Sequence, residues 1–193
     1  MTVPHIDLGN DEPGIRSLFF YRPETAVPLS ELAEILLRGP NSLERWEREL
    51  IATHVSTLNE CKFCSTSHAA FTAAQLPEGL DLPTIRADLA AAPISDKLKA
   101  LLDIAAAVQR GGREVTPELV ERSRAAGAGD EEIHDTVLIA AAFCMYNRYV
   151  DGLATVAPDD PAGYAAGAKV IAAQGYLPTI DAARAHREQV SAG

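Results

Sequence analysis

The sequence predicts a single all-α domain, and three observations support this prediction. Apolar residues recur at helical spacing along most of the chain, whereas the alternation typical of β-strands never persists. Glycines, prolines and capping residues mark the ends of these periodic segments. The length of 193 residues suits one medium-sized domain with a substantial core, and no linker divides the chain.

Residues 1–27 are rich in proline and glycine and show no sustained periodicity, so they predict an irregular N-terminal arm. Four large apolar residues at positions 18–21 would anchor this arm on its own domain or on a neighbouring subunit. The helical domain is predicted to cover residues 28–193. Ser30 is placed to cap its first short helix, over residues 31–38.

The next two predicted helices form a hairpin. Asn41 and Glu44 have the spacing of a capping box and would open a helix that ends at Asn59. The second helix of the hairpin, over residues 60–76, carries two cysteines. A short helix is predicted after it, over residues 82–91.

Capping signals also place the helices of the second half. Ser95 would cap a helix that Gly111 ends, and residues 116–118 supply an N-cap, a proline at the first helical position and an acid in the first turn. Two weaker helices are predicted over residues 161–174 and 179–190.

The longest predicted helix opens with the acidic residues 130–132 and has an apolar stripe that includes Cys144. Its centre, residues 138–143, is apolar all round, which predicts a buried central helix. This centre and the aromatic arm together offer more apolar surface than one domain of this size hides. We therefore expect a homo-oligomer.

The composition argues against several classes of function. With 17 basic and 27 acidic residues the chain has a formal net charge of −10, so neither nucleic acid nor a membrane is expected as a partner. No secretory signal is visible, and the longest apolar run, residues 137–146, is half of what a membrane span requires. No nucleotide-binding motif occurs, and no cofactor is expected. We expect a cytoplasmic protein, in which a CxxC pair is catalytic or metal-binding rather than structural.

The candidate active-site residues are Cys61, Cys64, His68 and Glu49. In a helix, the two cysteines and the histidine lie at i, i+3 and i+7 and project from one face. The helix N-terminus would favour a thiolate at Cys61, and the histidine one turn on would favour Cys64. Because the imidazole is in direct reach, we assign the nucleophile to Cys64. An antiparallel hairpin about Asn59 also places Glu49 opposite His68, where a carboxylate can orient an imidazole.

The spacing Glu49-x11-Cys61-x2-Cys64-x3-His68 resembles the active-site signature of the alkylhydroperoxidase D-like branch of the carboxymuconolactone decarboxylase superfamily. The neighbouring residues 50–52 and 67–70 are similar to that family as well. The resemblance implies an all-helical bundle that assembles into trimers or their multiples.

The resemblance also implies the roles of these residues. Cys64 would attack a hydroperoxide, Cys61 would close the disulfide, and Glu49 with His68 would relay protons. A dithiol reductant (a lipoyl protein, thioredoxin or a small thiol) would restore the thiols. One position departs from the best-known members, which carry a histidine where this chain has Phe63. One relay group is therefore missing.

Other interpretations stay open. The CxxC pair could be part of a zinc site with Cys144 or His54 as the fourth ligand, although a redox role fits better because that ligand is otherwise unexplained. A Glu/His enzyme of the carboxymuconolactone decarboxylase type and a non-catalytic, stress-associated helical protein are the alternative functions. Asn147 and Arg148 would line a pocket or an interface, or form a salt bridge at a helix end.

Overall fold

The computed structural model describes residues 3–191, with side chains described to residue 189, and this part of the chain is all-helical. Its helices are α1 (Ile15–Tyr21), α2 (Pro23–Arg38), α3 (Arg45–Leu58), α4 (Lys62–Ala73), α5 (Leu82–Ala87), α6 (Asp96–Arg110), α7 (Pro117–Ala125), α8 (Asp130–Gly152), α9 (Pro161–Gln174) and α10 (Pro178–Ser191). A 3₁₀ turn (Gly112–Glu114) lies between α6 and α7. No strand occurs in the described residues, so the predicted fold class is confirmed.

The hydrophobic core lies where α3, α6 and α8 pack against one another. Burial of each large apolar side chain stabilises the fold by about 1.5–3 kcal/mol. The almost fully buried members are Leu50, Ile51, Val55, Leu98, Leu101, Leu102, Ile104, Ile139 and Phe143. This core gives α3 a fixed position, and α4 packs along α3 as the second arm of a hairpin.

A second group of helices covers the other side of α4. Helix α9 packs on α4, and α1, α2 and α10 pack on one another. These helices enclose a space beside α4 that the core does not fill.

Several predicted helix ends are confirmed. The Ser95 hydroxyl accepts from the Leu98 amide at 3.1 Å at the start of α6, and the Thr116 hydroxyl accepts from the Leu119 amide at the start of α7. Helix α6 ends at Gly111, as its spacing predicts. Local capping therefore sets these boundaries.

The prediction of an irregular arm over residues 1–27 is wrong from Ile15 onward, because α1 and the beginning of α2 lie in this range. Pro28 is inside α2, and Ser30 is a buried residue of that helix instead of its cap. Burial of Ala26, Leu36 and Leu37 on one face of α2 offsets the local cost of the proline in that helix. The apolar anchor does pack on its own chain, against α2, α8 and α10.

The capping box of α3 lies three residues later than the sequence suggests. Glu44 is the N-cap, and its backbone amide donates to the Glu47 carboxylate at 2.8 Å. The Asn41 side chain instead accepts from the Leu43 amide in the preceding turn. Asn41 therefore belongs to the turn before α3, and Glu44 is the N-cap of α3. The two residues do not form the predicted capping box together.

Helix α8 is not buried all round. Leu138 and Met145 are 37% and 43% exposed, and Ala141 between them is exposed as well. Only the opposite face packs on α3 and α6, because the helix lies at the edge of the core. The predicted homo-oligomer stays a prediction. None of the helices in residues 3–191 has the length and apolarity needed to cross a bilayer.

Candidate active site

The site begins at the turn that joins α3 to α4. Glu60 has a φ of 57°, and Cys61 follows as the extended N-cap of α4. The side-chain amide of Asn59 donates to the side-chain oxygen of Asn147 at 2.8 Å. The side-chain amide of Asn147 in turn donates to the Ser56 hydroxyl at 3.1 Å. Asn147 thus ties the turn to α8; it does not line a pocket.

Glu49 and His68 meet across the hairpin, as predicted. Nδ1 of His68 lies 2.7 Å from Oε2 of Glu49, whose residue is only 1% exposed. The His68 ring packs edge-on against Phe143 and Phe71, with ring centroids 4.6 and 5.0 Å away. The predicted contact is therefore confirmed, and aromatic rings restrict the motion of the imidazole.

Tyr176 is the residue that the sequence interpretation missed. Its hydroxyl donates to Oε1 of Glu49 at 2.5 Å, across 127 positions of sequence. Burial, and then the adjacent Glu49, raise the pKa of Tyr176 well above its ordinary value, so the hydroxyl stays protonated as a donor. It lies in the short connection between α9 and α10, and no local pattern marks it there.

The two thiols form a second buried group at the start of α4. Cys61 is fully buried, Cys64 is 4% exposed, and neither is in a disulfide. The neighbouring Cys64 side chain, and then burial, raise the pKa of Cys61. Asp151, at the end of α8, lies beside Cys61, and burial raises the pKa of its carboxyl. Val150 packs on the pair.

A cavity of about 450 Å³ opens beside these groups. Most of its walls are apolar, and His68 and Ser67 bring polar atoms to one side, whereas neither thiol nor Glu49 forms part of the lining. The aromatic lining residues are Phe19, Phe63, Phe71, Tyr164 and Tyr176. An apolar ligand in this cavity would meet the imidazole directly.

Comparison with known proteins shows a family similarity over part of the chain. Residues 23–76, which include both cysteines, match the model of the carboxymuconolactone decarboxylase family. An uncharacterized peroxidase-related protein from Silicibacter sp. TM1040 has a similar crystal structure, with 26% identity and a TM-score of 0.68 over 79% of this chain and 78% of that one. The chain therefore resembles the carboxymuconolactone decarboxylase family over residues 23–76 and peroxidase-related proteins of the alkylhydroperoxidase D-like kind in its fold.

A second similar structure supports the alkylhydroperoxidase D-like fold. It is the alkylhydroperoxidase AhpD core of an uncharacterized peroxidase-related protein from Ralstonia eutropha JMP134. The two chains are 24% identical with a TM-score of 0.70, and the match covers 82% of each. None of the curated proteins matches this chain significantly.

Phe63 stands where the resemblance implies a relay histidine. Its ring lies 6.0 Å from the ring of Tyr164 and directly under Gly14. A Cβ at Gly14 would lie 2.2 Å from the Phe63 ring, and Gly14 has a φ of 54°. The Gly14 amide donates to the Val156 carbonyl at 2.9 Å. The N-terminal arm and Phe63 therefore close over the dithiol.

Two further geometric facts limit what this site can do. Within residues 3–191, the hydrogen bonds of the His68 ring run only to Glu49, so none reaches either thiol. No group of three histidine, cysteine or acidic residues in the described chain is arranged to hold a metal ion. The site thus consists of two adjacent pairs, one of thiols and one of acid and base.

The remaining candidates lie outside both pairs. The Cys144 sulfur accepts from the Asn59 amide at 3.6 Å, and His54 is half-buried on α3, where burial lowers its pKa. Arg148 donates to the Cys144 carbonyl of its own helix at 2.8 Å. The salt bridge considered for Arg148 does not form with any described acid.

Proposed function

We propose that this protein is a thiol-dependent peroxidase that reduces organic hydroperoxides with the dithiol of Cys61 and Cys64. The observation that carries this proposal is the pair of buried, unbridged thiols at the start of α4, on the same helix as His68. His68 follows one helical turn later, already paired with Glu49. A dithiol beside an acid–base pair has the components of a two-electron thiol peroxidase.

In the first half of the reaction, the Cys64 thiolate attacks the outer oxygen of the hydroperoxide. The O–O bond breaks, Cys64 becomes a sulfenic acid, and the alkoxide leaves as an alcohol after taking a proton. His68 receives the thiol proton and supplies the one that the alkoxide takes. Because no hydrogen bond joins Cys64 to His68, this transfer uses an intervening water or a rotation of the Cys64 side chain.

In the second half, the Cys61 sulfur attacks the sulfenic acid, a disulfide forms, and the hydroxyl leaves as water with the Cys61 proton. Cys64 is the first nucleophile in this proposal because it lies one helical turn before His68, whereas Cys61 is the fully buried thiol at the N-cap of α4. A dithiol reductant of the lipoyl, thioredoxin or small-thiol type then returns two electrons and two protons.

Intact-mass analysis of the reduced protein tests this proposal. After one equivalent of cumene hydroperoxide, we expect the mass to fall by two hydrogen atoms, and peptide mapping to join Cys61 to Cys64. Protein whose thiols are first alkylated serves as the control and should keep its mass. An unchanged mass of the unblocked protein would exclude the peroxidase and leave the Glu/His enzyme and the non-catalytic hypothesis.

The cavity predicts a preference for bulky hydroperoxides. Gly167 lines it, and a Cβ there would meet open space, so Gly167→Leu would place a side chain inside. We expect kcat/KM for cumene hydroperoxide to fall about 10-fold while that for hydrogen peroxide is unchanged, because only the larger substrate needs the lost space. The exposed Ala165 of the same helix is outside the cavity, and Ala165→Leu should alter neither rate. Equal losses for both peroxides would show that the cavity does not hold the substrate.

A second candidate function is supported by the cavity lining. Since His68 is part of the wall and neither thiol is, a Glu/His enzyme acting on a small apolar acid would use this space without the dithiol. Such an enzyme would keep its turnover when both cysteines are replaced by serine and would lose it in Glu49→Gln. The peroxidase requires the opposite result for the cysteines.

The proposal also includes a homo-oligomer, a trimer or a multiple of it, in the cytoplasm. The apolar face of α8 formed by Leu138, Ala141 and Met145 supports the assembly, because exposed neighbouring apolar side chains favour association.

A further inference from the structure

We propose that Tyr176 is a positioning residue, which fixes the Glu49 carboxylate so that Nε2 of His68 is the nitrogen free to accept a proton. The kinetic consequence of this inference rests on the proposed function, whereas the orientation of the imidazole does not. Tyr176 lies outside residues 23–76, the part of the chain that matches the family model.

The Glu49 carboxylate is held at both oxygens. Oε1 accepts from the Tyr176 hydroxyl at 2.5 Å, and Oε2 lies 2.7 Å from Nδ1 of His68. Because the tyrosine is a donor and an ionised carboxylate can only accept, the proton between Glu49 and His68 belongs on Nδ1. The other ring nitrogen, Nε2, is then the unprotonated one.

The backbone of Tyr176 is fixed by helix α2. Its amide donates to Oε2 of Glu34 at 2.8 Å, and Glu34 pairs with Arg38 at 3.1 Å. Arg38 in turn donates to the carbonyls of Ile171 and Ala172 at the end of α9, at 2.7 and 3.2 Å. These bonds hold the connection between α9 and α10 against α2.

Gly175 makes this approach possible. It has a φ of 80°, and a Cβ there would lie 2.3 Å from the Glu34 carboxylate. A side chain at this position would displace the Glu34 carboxylate that binds the Tyr176 amide, and it would strain the backbone at this positive φ. The backbone conformation of Gly175 thus allows the turn that places Tyr176 beside Glu49.

The ring of Tyr176 has contacts that are separate from those of its hydroxyl. It lies nearly parallel to the His68 ring, with centroids 6.3 Å apart, and edge-on to Phe71. A phenylalanine at this position keeps the ring and removes only the donor. The two contributions can therefore be separated by one substitution.

Other charged groups around the pair stay in place in such a variant. Arg48 is buried next to Glu49 on α3, and Glu34 and Arg38 lie on the α2 side. Helix α8 presents the Phe143 ring, and α4 carries Cys64. Any change in Tyr176→Phe is thus assigned to the lost hydroxyl.

Loss of the hydroxyl leaves a buried carboxylate oxygen without its donor. Hydrogen bonds to a charged group favour the charged form, so without this bond the Glu49–His68 pair takes up its next proton at a higher pH. The acid limb of kcat/KM should therefore move to higher pH. We also expect kcat/KM at neutral pH to fall about 10-fold, the lower end of what supporting hydrogen bonds contribute.

The test measures ¹⁵N NMR shifts of the histidine rings in wild type, Tyr176→Phe and Tyr146→Phe. The His68 signal, one of five histidines, is assigned with His68→Gln. In wild type we expect the tautomer with the proton on Nδ1. In Tyr176→Phe we expect a mixed population, because the carboxylate that Tyr176 no longer holds at Oε1 can rotate away from Nδ1. Tyr146 is a matched control, because it is buried and its hydroxyl donates to the Leu29 carbonyl at 2.9 Å instead of to Glu49.

Each result decides one question. A wild-type tautomer and a wild-type acid limb in Tyr176→Phe would overturn the inference, as would equal changes in Tyr146→Phe. If wild type shows no thiol oxidation by hydroperoxide but Tyr176→Phe changes the tautomer, the proposed function fails and the positioning role stands.

Discussion

The Cys64→Ser variant is expected to consume no hydroperoxide, whereas Cys61→Ser should react once and stop. A serine hydroxyl is not ionised at neutral pH and cannot attack the peroxide, so the first substitution removes the nucleophile. In the second variant Cys64 still forms a sulfenic acid, but no thiol lies beside it to condense with. Trapping with dimedone, followed by intact-mass analysis, should therefore label Cys61→Ser and leave Cys64→Ser unlabelled.

Cys144→Ser is the matched control for this experiment. Cys144 is also buried, but its sulfur contacts Asn59 instead of the other thiols, so its loss should leave hydroperoxide consumption unchanged. The reverse pattern, with activity kept in Cys64→Ser and lost in Cys61→Ser, would exchange the two roles. Activity in both variants would remove the dithiol from the reaction.

The outcome at the N-terminus shows where local sequence patterns stop being informative. Proline and glycine predict an irregular segment before residue 28, yet α1 and α2 begin at Ile15 and Pro23. Burial of Leu18 and Phe19 stabilises α1, which packs on α2 and on two helices that are distant in sequence, α8 and α10. Helix α6, in contrast, was predictable because Ser95 caps it within the same segment.

The candidate site likewise has one part that the sequence predicts and another that depends on the tertiary structure. The contact of Glu49 with His68 follows from hairpin geometry, since both residues lie near one turn. Tyr176 reaches Glu49 only because α9 returns across α4 and Gly175 permits a close approach to α2. A single sequence contains no periodicity or motif that predicts such a long-range contact. The covering of the dithiol by Gly14 and Phe63 is likewise a tertiary feature.

His68→Ala is expected to lower kcat/KM for an organic hydroperoxide by roughly 10²–10⁴-fold, the range typical of a lost general base. Glu49→Gln should have an effect of the same kind. The carboxylate accepts at both oxygens, whereas glutamine has one acceptor and one donor. If its amide faces Nδ1 of His68, the imidazole proton moves to Nε2 and the base is lost; if it faces Tyr176, the hydroxyl must reverse its bond.

A double variant that combines Glu49→Gln with His68→Ala decides whether these two residues act together. Because Glu49 acts through the imidazole, Glu49→Gln should lower the rate only while His68 is present, and the double variant should match His68→Ala. His54→Ala is the control, since His54 lies on the same helix as Glu49 and makes no hydrogen bond to either site residue within the described chain. Independent, multiplicative losses in kcat/KM would instead give the two residues separate functions. Unchanged rates with a lower melting temperature would make the pair a structural hydrogen bond, in which case the proton of Cys64 leaves by another route.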